Sequence, residues 1–251
     1  MGTVQKELSL KAKSANVRVR GTYHTPMFVY RALWLIINLL MRLIYRYHAE
    51  GQENVPRQGP VILVVNHLHL VDPGMVVCAV WRQIVTLAAD KWLYNSTVRA
   101  FLRGAGSIFV NRGEVDRTAL RLCLDVLKRG KALAIAPEGT RSPNAQMQRG
   151  KAGVAYIARQ ANAIIVPIGS WGQERLSEWK PWHRPECHTV IGRPFRLDLG
   201  EGKMTSERLQ ELADAIMIQI ARLVPESYRG YYADQVSALG SHDLPTGIIP
   251  A

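Results

Sequence analysis

After residue 60 the chain alternates between two kinds of apolar pattern. Val61–Val65 is an unbroken aliphatic run between Pro60 and Asn66, the pattern of a strand buried on both faces. Ile84–Ala88, Ser107–Val110, Ala132–Ala136, Ala163–Ile168 and His188–Gly192 read the same way. Between these runs the apolar positions recur at helical spacing. The spacing predicts helices over Pro73–Trp81, Asp90–Leu102 and Gly150–Ala161, and one that shows Ala119, Leu120, Cys123, Leu124 and Leu127 on a single side. The last periodic segment, about Ser206–Leu223, aligns Leu209, Leu212, Ile216, Ile220 and Leu223. Strands alternating with helices of this length predict an α/β fold, a mostly parallel sheet flanked by helices. Ligands of such sheets bind beyond the carboxyl ends of the strands, so polar residues just after strands are where chemistry is expected.

The N-terminal fifth has a different pattern. Between Met27 and Tyr45, 16 of 19 residues are apolar, the exceptions being Arg31, Asn38 and Arg42. At about 100° per residue, setting Arg31 at zero places Asn38 near −20°, Arg42 near +20° and Arg46 near +60°. The polar residues thus form one stripe, with Val29, Leu33, Ile36, Ile37, Leu40 and Ile44 on the far side. This predicts an amphipathic, membrane-associating helix, apolar face in lipid and arginines at the headgroups. A helix packed on its own domain would show the same pattern. The segment lacks the small-residue cleavage site of a secretory signal. The organisation expected is a basic N-terminal tail over 1–25, an interfacial helix over 26–48, a main domain over 49–234 and a loose C-terminal tail over 235–251.

Charge sharpens this picture. The 251 residues carry a formal net charge of +12, and the first 50 hold eight basic residues against Glu7 and Glu50. Cations flanking and interrupting the most apolar stretch favour an anionic membrane surface as partner, on the cytoplasmic face. None of the nucleic-acid recognition motifs is present, so no nucleic-acid partner is expected. The three cysteines, Cys78, Cys123 and Cys187, are scattered and form no zinc spacing, so no metal is expected.

Three post-strand segments carry candidate chemistry. Val61–Val65 runs into Asn66-His67-Leu68-His69-Leu70-Val71-Asp72-Pro73. His67 is placed to act as a general base, and Asp72 to orient its ring. On one helix the two would stand about 140° apart, so they meet only if the segment is a loop. Asp72-Pro73 also reads as a helix cap followed by Pro at the first helical position. The second segment, Pro137-Glu138-Gly139-Thr140-Arg141-Ser142, follows the Ala132–Ala136 strand. Gly139 permits a tight turn, Thr140 offers a hydroxyl, and Arg141 offers a planar fork suited to phosphate. Glu138 is a candidate acceptor for a substrate hydroxyl. An ordinary surface turn with a solvated arginine is the alternative. A third segment, Gly106–Arg112, puts Arg112 just past another strand.

Together these segments resemble the glycerolipid acyltransferase family that includes 1-acylglycerol-3-phosphate acyltransferase. Its Asn-His-x4-Asp motif matches at Asn66, His67 and Asp72, and its arginine-bearing strand motif at Gly106 to Arg112. Its Pro-Glu-Gly-Thr-Arg-Ser motif matches at Pro137 to Ser142, and its Val-Pro motif at Val166-Pro167. The resemblance covers roughly residues 50–175 and makes 49–234 an acyltransferase domain. Two departures are His69, where the family often has Ser, and Ala136, where an aromatic residue is common.

What the resemblance implies is direct acyl transfer, without cofactor, from acyl-CoA or acyl carrier protein as co-substrate to a lysophospholipid acceptor, forming phosphatidic acid. His67 and Asp72 would be catalytic. Asn66, Arg112, Glu138, Gly139, Thr140 and Arg141 would bind substrate, with Lys91 as a further candidate. No Gly-x-Ser-x-Gly elbow is present for a covalent serine intermediate, and Gly200-Glu201-Gly202-Lys203 lacks the remainder of a P-loop. The same chemistry on glycerol 3-phosphate, another lysophospholipid or an aminolipid would use the same motifs. An inactive membrane-binding protein on this fold is the alternative of another class.

Overall fold

The computed structural model describes residues 25–110, 116–200, 204–240 and 243–251. Among these residues, nine strands form one sheet. They are β1 (Arg46–Glu50), β2 (Val61–Val65), β3 (Ile84–Ala89), β4 (Ile108–Val110), β5 (Ala132–Ile135), β6 (Ile164–Trp171), β7 (Glu186–Ile191), β8 (Phe195–Leu197) and β9 (Ile248–Pro250). The order is β1-β7-β6-β2-β5-β3-β4, with β8 pairing β6 and β9 pairing β8. The run from β6 to β4 is parallel throughout, β7 and β8 run antiparallel to β6, and β1 is parallel to β7. The mostly parallel sheet expected from the sequence is therefore observed.

Helices cover both faces: α1 (Met27–Ile44), α2 (Asp72–Ala79), α3 (Ser96–Gly104), α4 (Arg117–Lys128), α5 (Gly153–Ala161), α6 (Ser206–Ala221) and α7 (Ala233–Ala238). The central strand β2 shows why. Ile62 and Val64 enter a core with Val126 and Leu127 of α4, Ala155 of α5, and Leu212 and Ile216 of α6. Val61, Leu63 and Val65 point the other way, into a core with Tyr30 of α1 and Val76 and Val77 of α2. All five are buried, so no alternation of polarity marks this strand in the sequence.

The structure corrects the N-terminal reading in three ways. The helix expected to 48 ends at Ile44, and Tyr45 turns extended, with φ −119° and ψ 155°. Arg46 is therefore not on the helix. It lies on β1, ion-paired to Glu186 at 3.2 Å. The alternating exposure of Arg46, Tyr47, His48, Ala49 and Glu50 is that of an edge strand. Asn38, expected on a headgroup-facing stripe with Arg31 and Arg42, is buried against the domain. Tyr30, Trp34, Asn38, Met41 and Tyr45 recur every three or four residues and form the docking face. On that face Trp34 Nε1 donates to the Val77 carbonyl at 2.9 Å. The opposite arc leaves Phe28, Leu35, Leu39 and Leu43 exposed, with Arg31 and Arg42 along its edge.

Two further expectations differ. The helix over Asp90–Leu102 breaks at Asn95, whose side chain accepts from Val98 N at 3.0 Å and starts α3. The C-terminal segment over 235–251 is not a loose tail in its described part: Ile248 is buried and β9 pairs with β8. Of the basic tail expected over 1–25, all but Thr25 lies outside the described residues.

Candidate active site

The parallel register of β2 with β5 pairs Val64 with Ile135, so both strands end at the same level of the sheet. The Asn66–Asp72 loop and the Pro137–Ser142 turn therefore emerge side by side, and they grip each other. His67 N–H donates to Glu138 Oε1 at 2.8 Å, and Ser142 N–H donates to the His67 carbonyl at 2.8 Å. Both polar groups beside the His67 Cα are thus held by the turn that carries Thr140 and Arg141.

The His67 ring meets Asp72 directly, with Nδ1 2.6 Å from Oδ2. The His67 side chain is 12% exposed and that of Asp72 only 2%. A loop closes between them, as the pair requires. The Asp72 carboxylate points back into this loop, accepting from His69 N–H at 3.0 Å and from Gln173 Nε2 at 3.0 Å. It makes no capping bond to α2, whose cap position is Val71. The capping alternative is therefore excluded. His69 contributes its backbone N–H to Asp72, and its ring Nδ1 is a buried nitrogen with no partner among the described residues. The imidazole oriented by a carboxylate is that of His67.

Two residues expected to bind substrate serve the framework instead. Asn66 is fully buried and pairs with Ser170 on β6, donating to its carbonyl and accepting its N–H, both at 2.8 Å. Glu138 is 2% exposed, and its second oxygen accepts Gln148 N–H at 3.0 Å. Both carboxylate oxygens are occupied by the chain's own backbone, so neither faces a substrate hydroxyl. Burial pushes the Glu138 carboxyl up to about 7; the two N–H donors pull it back, and the nearby Asp72 charge adds to the rise.

Gly139 turns at φ +73°, with its N–H donating to the Ala136 carbonyl at 3.1 Å. The left-handed backbone is what calls for glycine here, and Lys151 Nζ lies against it, 3.0 Å from where a Cβ would stand. Thr140 and Arg141, the next two residues, are both exposed. Lys91 sits past the end of β3, two strands from β2, with its ammonium over the Trp92 ring at 5.5 Å from the centroid. Its side chain is exposed there. Arg112 lies outside the described residues, beyond the end of β4.

Sequence reasoning missed three contributors. Gln173 is fully buried behind Asp72, placed there by Gly172, whose φ of +89° turns the chain out of β6. A Cβ on Gly172 would stand 2.3 Å from the Glu186 carbonyl oxygen. Tyr45, at the end of α1, donates its hydroxyl to the Gln173 carbonyl at 2.9 Å. Lys151 adds a cation beside Gly139. None of the three lies in a recognisable local pattern. They become legible only once β6 and the segment after β5 stand next to β2.

A histidine–carboxylate pair at the end of a central strand, braced by an arginine-bearing turn, defines an α/β protein equipped to take a proton from a hydroxyl. Residues 46–171, half of the chain, match the family model described as Acyltransferase, and the chain belongs to that family. It is 30% identical over 120 residues to a 1-acyl-sn-glycerol-3-phosphate acyltransferase of Borreliella burgdorferi, covering 47% of this chain and 48% of that protein. It is 28% identical over 220 residues to the human 1-acyl-sn-glycerol-3-phosphate acyltransferase alpha, covering 84% of this chain and 76% of that protein. The chain thus matches about half the length of the first of these relatives and three quarters of the second. The crystal structure of the 1-acyl-sn-glycerophosphate acyltransferase PlsC from Thermotoga maritima superposes with a TM-score of 0.62. It is 21% identical and covers 86% of this chain and 82% of that one, a likeness of fold.

Proposed function

We propose that this chain transfers a fatty acyl group from acyl-CoA or acyl carrier protein to the free hydroxyl of 1-acylglycerol 3-phosphate. The single observation that carries the reading is the 2.6 Å contact of His67 Nδ1 with the buried Asp72 carboxylate. With Nδ1–H donated to Asp72, Nε2 is left as the nitrogen that receives a substrate proton. The acceptor hydroxyl gives its proton to Nε2 while its oxygen forms a bond to the thioester carbonyl carbon. The tetrahedral intermediate then expels the thiolate as the C–S bond breaks. The imidazolium returns the proton to sulfur, and Asp72 stabilises the imidazolium meanwhile. Arg141, with Thr140 and Lys151 on either side of Gly139, forms the cationic turn for the acceptor phosphate. Arg112 is assigned to the same group on the family motif alone.

The reaction takes place at a membrane surface, on its cytoplasmic side. Supporting this, α1 is long and apolar enough to cross a membrane by length and composition, yet it packs lengthwise on the domain through Tyr30, Trp34 and Met41. A helix held in that pose lies along the bilayer and presents Leu35, Leu39 and Leu43 to lipid. The test is acyl transfer by purified protein in liposomes, with acyl-CoA and acyl carrier protein donors against a panel of acceptors. The expected result is preference for 1-acylglycerol 3-phosphate. Preference for an acceptor without a phosphate monoester would contradict the assignment of the Arg141 turn.

A further inference from the structure

Beyond α1, a second element carries large apolar side chains into solvent. The segment after Gln173 forms a short helical turn and then a hairpin closed by two backbone bonds, Lys180 N–H to the His183 carbonyl at 2.8 Å and His183 N–H to the Lys180 carbonyl at 2.9 Å. Pro181 and Trp182 form its tip. Trp182 is 83% exposed and Trp179 43%. An indole held out by a closed hairpin loses little conformational freedom on meeting a partner, and its apolar body with one N–H suits the boundary between water and lipid.

The charges around it are mostly cationic. Lys180 and Arg184 flank Trp182. The carboxylates that precede the hairpin are already engaged, Glu178 with Arg175 at 2.7 Å and Glu174 with the Tyr228 hydroxyl at 2.7 Å. The hairpin also abuts the lipid-facing helix. Arg184 Nη1 donates to the Arg42 carbonyl in the last turn of α1 at 2.8 Å, and Arg46 N–H donates to the Pro185 carbonyl at 3.0 Å. Its position is thereby fixed relative to α1. The segment begins, moreover, at Gln173, which holds Asp72.

We propose that the Trp179–Arg184 hairpin is a second bilayer contact. It seats Trp179 and Trp182 among the headgroups of an anionic membrane, with Lys180 and Arg184 at the lipid phosphates. Together with α1 it forms a two-point attachment that sets the orientation of the His67 site over the lipid. The inference rests on the reading of this protein as one that works at a membrane surface. It adds the part of the surface, other than the N-terminal helix, that touches lipid.

The test uses the full chain with a polarity-sensitive fluorophore on Trp182→Cys, and separately on Leu39→Cys in α1. The native Cys78, Cys123 and Cys187 are buried and do not compete for label in the folded protein. Each labelled protein is mixed with vesicles of phosphatidylcholine containing phosphatidylglycerol, or of phosphatidylcholine alone. Both probes should shift to the blue on anionic vesicles, and the Trp182 probe should be quenched by nitroxides at shallow depth. W179A/W182A should keep its circular dichroism spectrum and its activity in detergent, and lose on the order of ten-fold or more in vesicle affinity. A response at Leu39 with none at Trp182 would leave α1 as the sole contact and overturn the proposal. Silence at both positions would remove the membrane-surface reading itself. A Trp182 response to acyl carrier protein but not to vesicles would make the hairpin a protein-docking surface, which equally overturns it.

Discussion

Gln173 Nε2 donates to Asp72 Oδ1 at 3.0 Å, joining residues 101 positions apart in the sequence. Because Tyr45 in turn donates to the Gln173 carbonyl, the end of α1 and the His67–Asp72 pair are linked through one buried glutamine. A buried carboxylate keeps a single orientation only when its oxygens are held, and Gln173 holds the oxygen turned away from His67. Gln173→Leu removes that donor and keeps the bulk. A hydrogen bond to a charged group contributes about 1.5–3 kcal/mol, so kcat should fall roughly 10- to 100-fold. The Michaelis constants for donor and acceptor should stay near their original values, since Gln173 is buried behind Asp72, away from the substrate side. A kcat equal to that of the parent enzyme would show that Asp72 needs no such support.

Glu138 offers a pH test of the brace between the two loops. Burial raises its carboxyl from 4.5 to about 7, so between those values the folded chain holds a proton that the unfolded chain has released. Folding stability from this group is therefore fully present below about pH 4.5 and falls as pH rises toward 7. Glu138→Gln removes the titration. The stability difference, parent minus variant, should shrink by about 2–3 kcal/mol between roughly pH 5 and 8, read by denaturant unfolding at each pH. A difference independent of pH would mean that Glu138 is ionised at little cost.

Arg141→Lys tests the cationic turn. A lysine keeps the charge and loses the planar fork, so two-point contact with a phosphate is lost. The Michaelis constant for a phosphate-bearing acceptor should rise by about ten-fold, the worth of roughly one charge-assisted hydrogen bond. The constant for the acyl donor should not change. An equal rise for donor and acceptor would detach Arg141 from acceptor recognition.

Much of this architecture is legible in the sequence because short aliphatic runs and helical spacing report burial directly. Val61–Val65 and Ser206–Ala221 are clear for that reason. β1 is not, because its five residues follow a strongly helical segment and alternate weakly, and only pairing with β7 makes them a strand. Asn38 falls on a polar stripe because composition cannot distinguish an asparagine that faces headgroups from one whose amide donates within its own helix, here to the Trp34 carbonyl at 3.0 Å. At the site, His67 and Asp72 stand out from their place after a strand, but the sequence alone leaves Asp72 equally a helix cap, and the family motif favours the catalytic pair. Asn66 and Glu138 are conspicuous in the sequence yet pass for ligand contacts, because their partners are backbone groups of distant segments. Gln173 and Lys151 carry no signal in the sequence at all.

In the proposed mechanism His67, and not His69, is the base that takes the acceptor's proton. His67→Ala, His69→Ala and Asp72→Asn, assayed side by side in liposomes, test it most directly. Asp72→Asn keeps an oxygen for Gln173 and the His69 N–H but can turn its amide toward His67 Nδ1, which moves the ring proton to Nε2, the wrong nitrogen for a base. His67→Ala and Asp72→Asn should each lose on the order of 10²–10⁴-fold in kcat. His69→Ala should remain within about ten-fold of the parent, since its backbone N–H to Asp72 survives the substitution. An active His67→Ala beside an inactive His69→Ala would contradict the account.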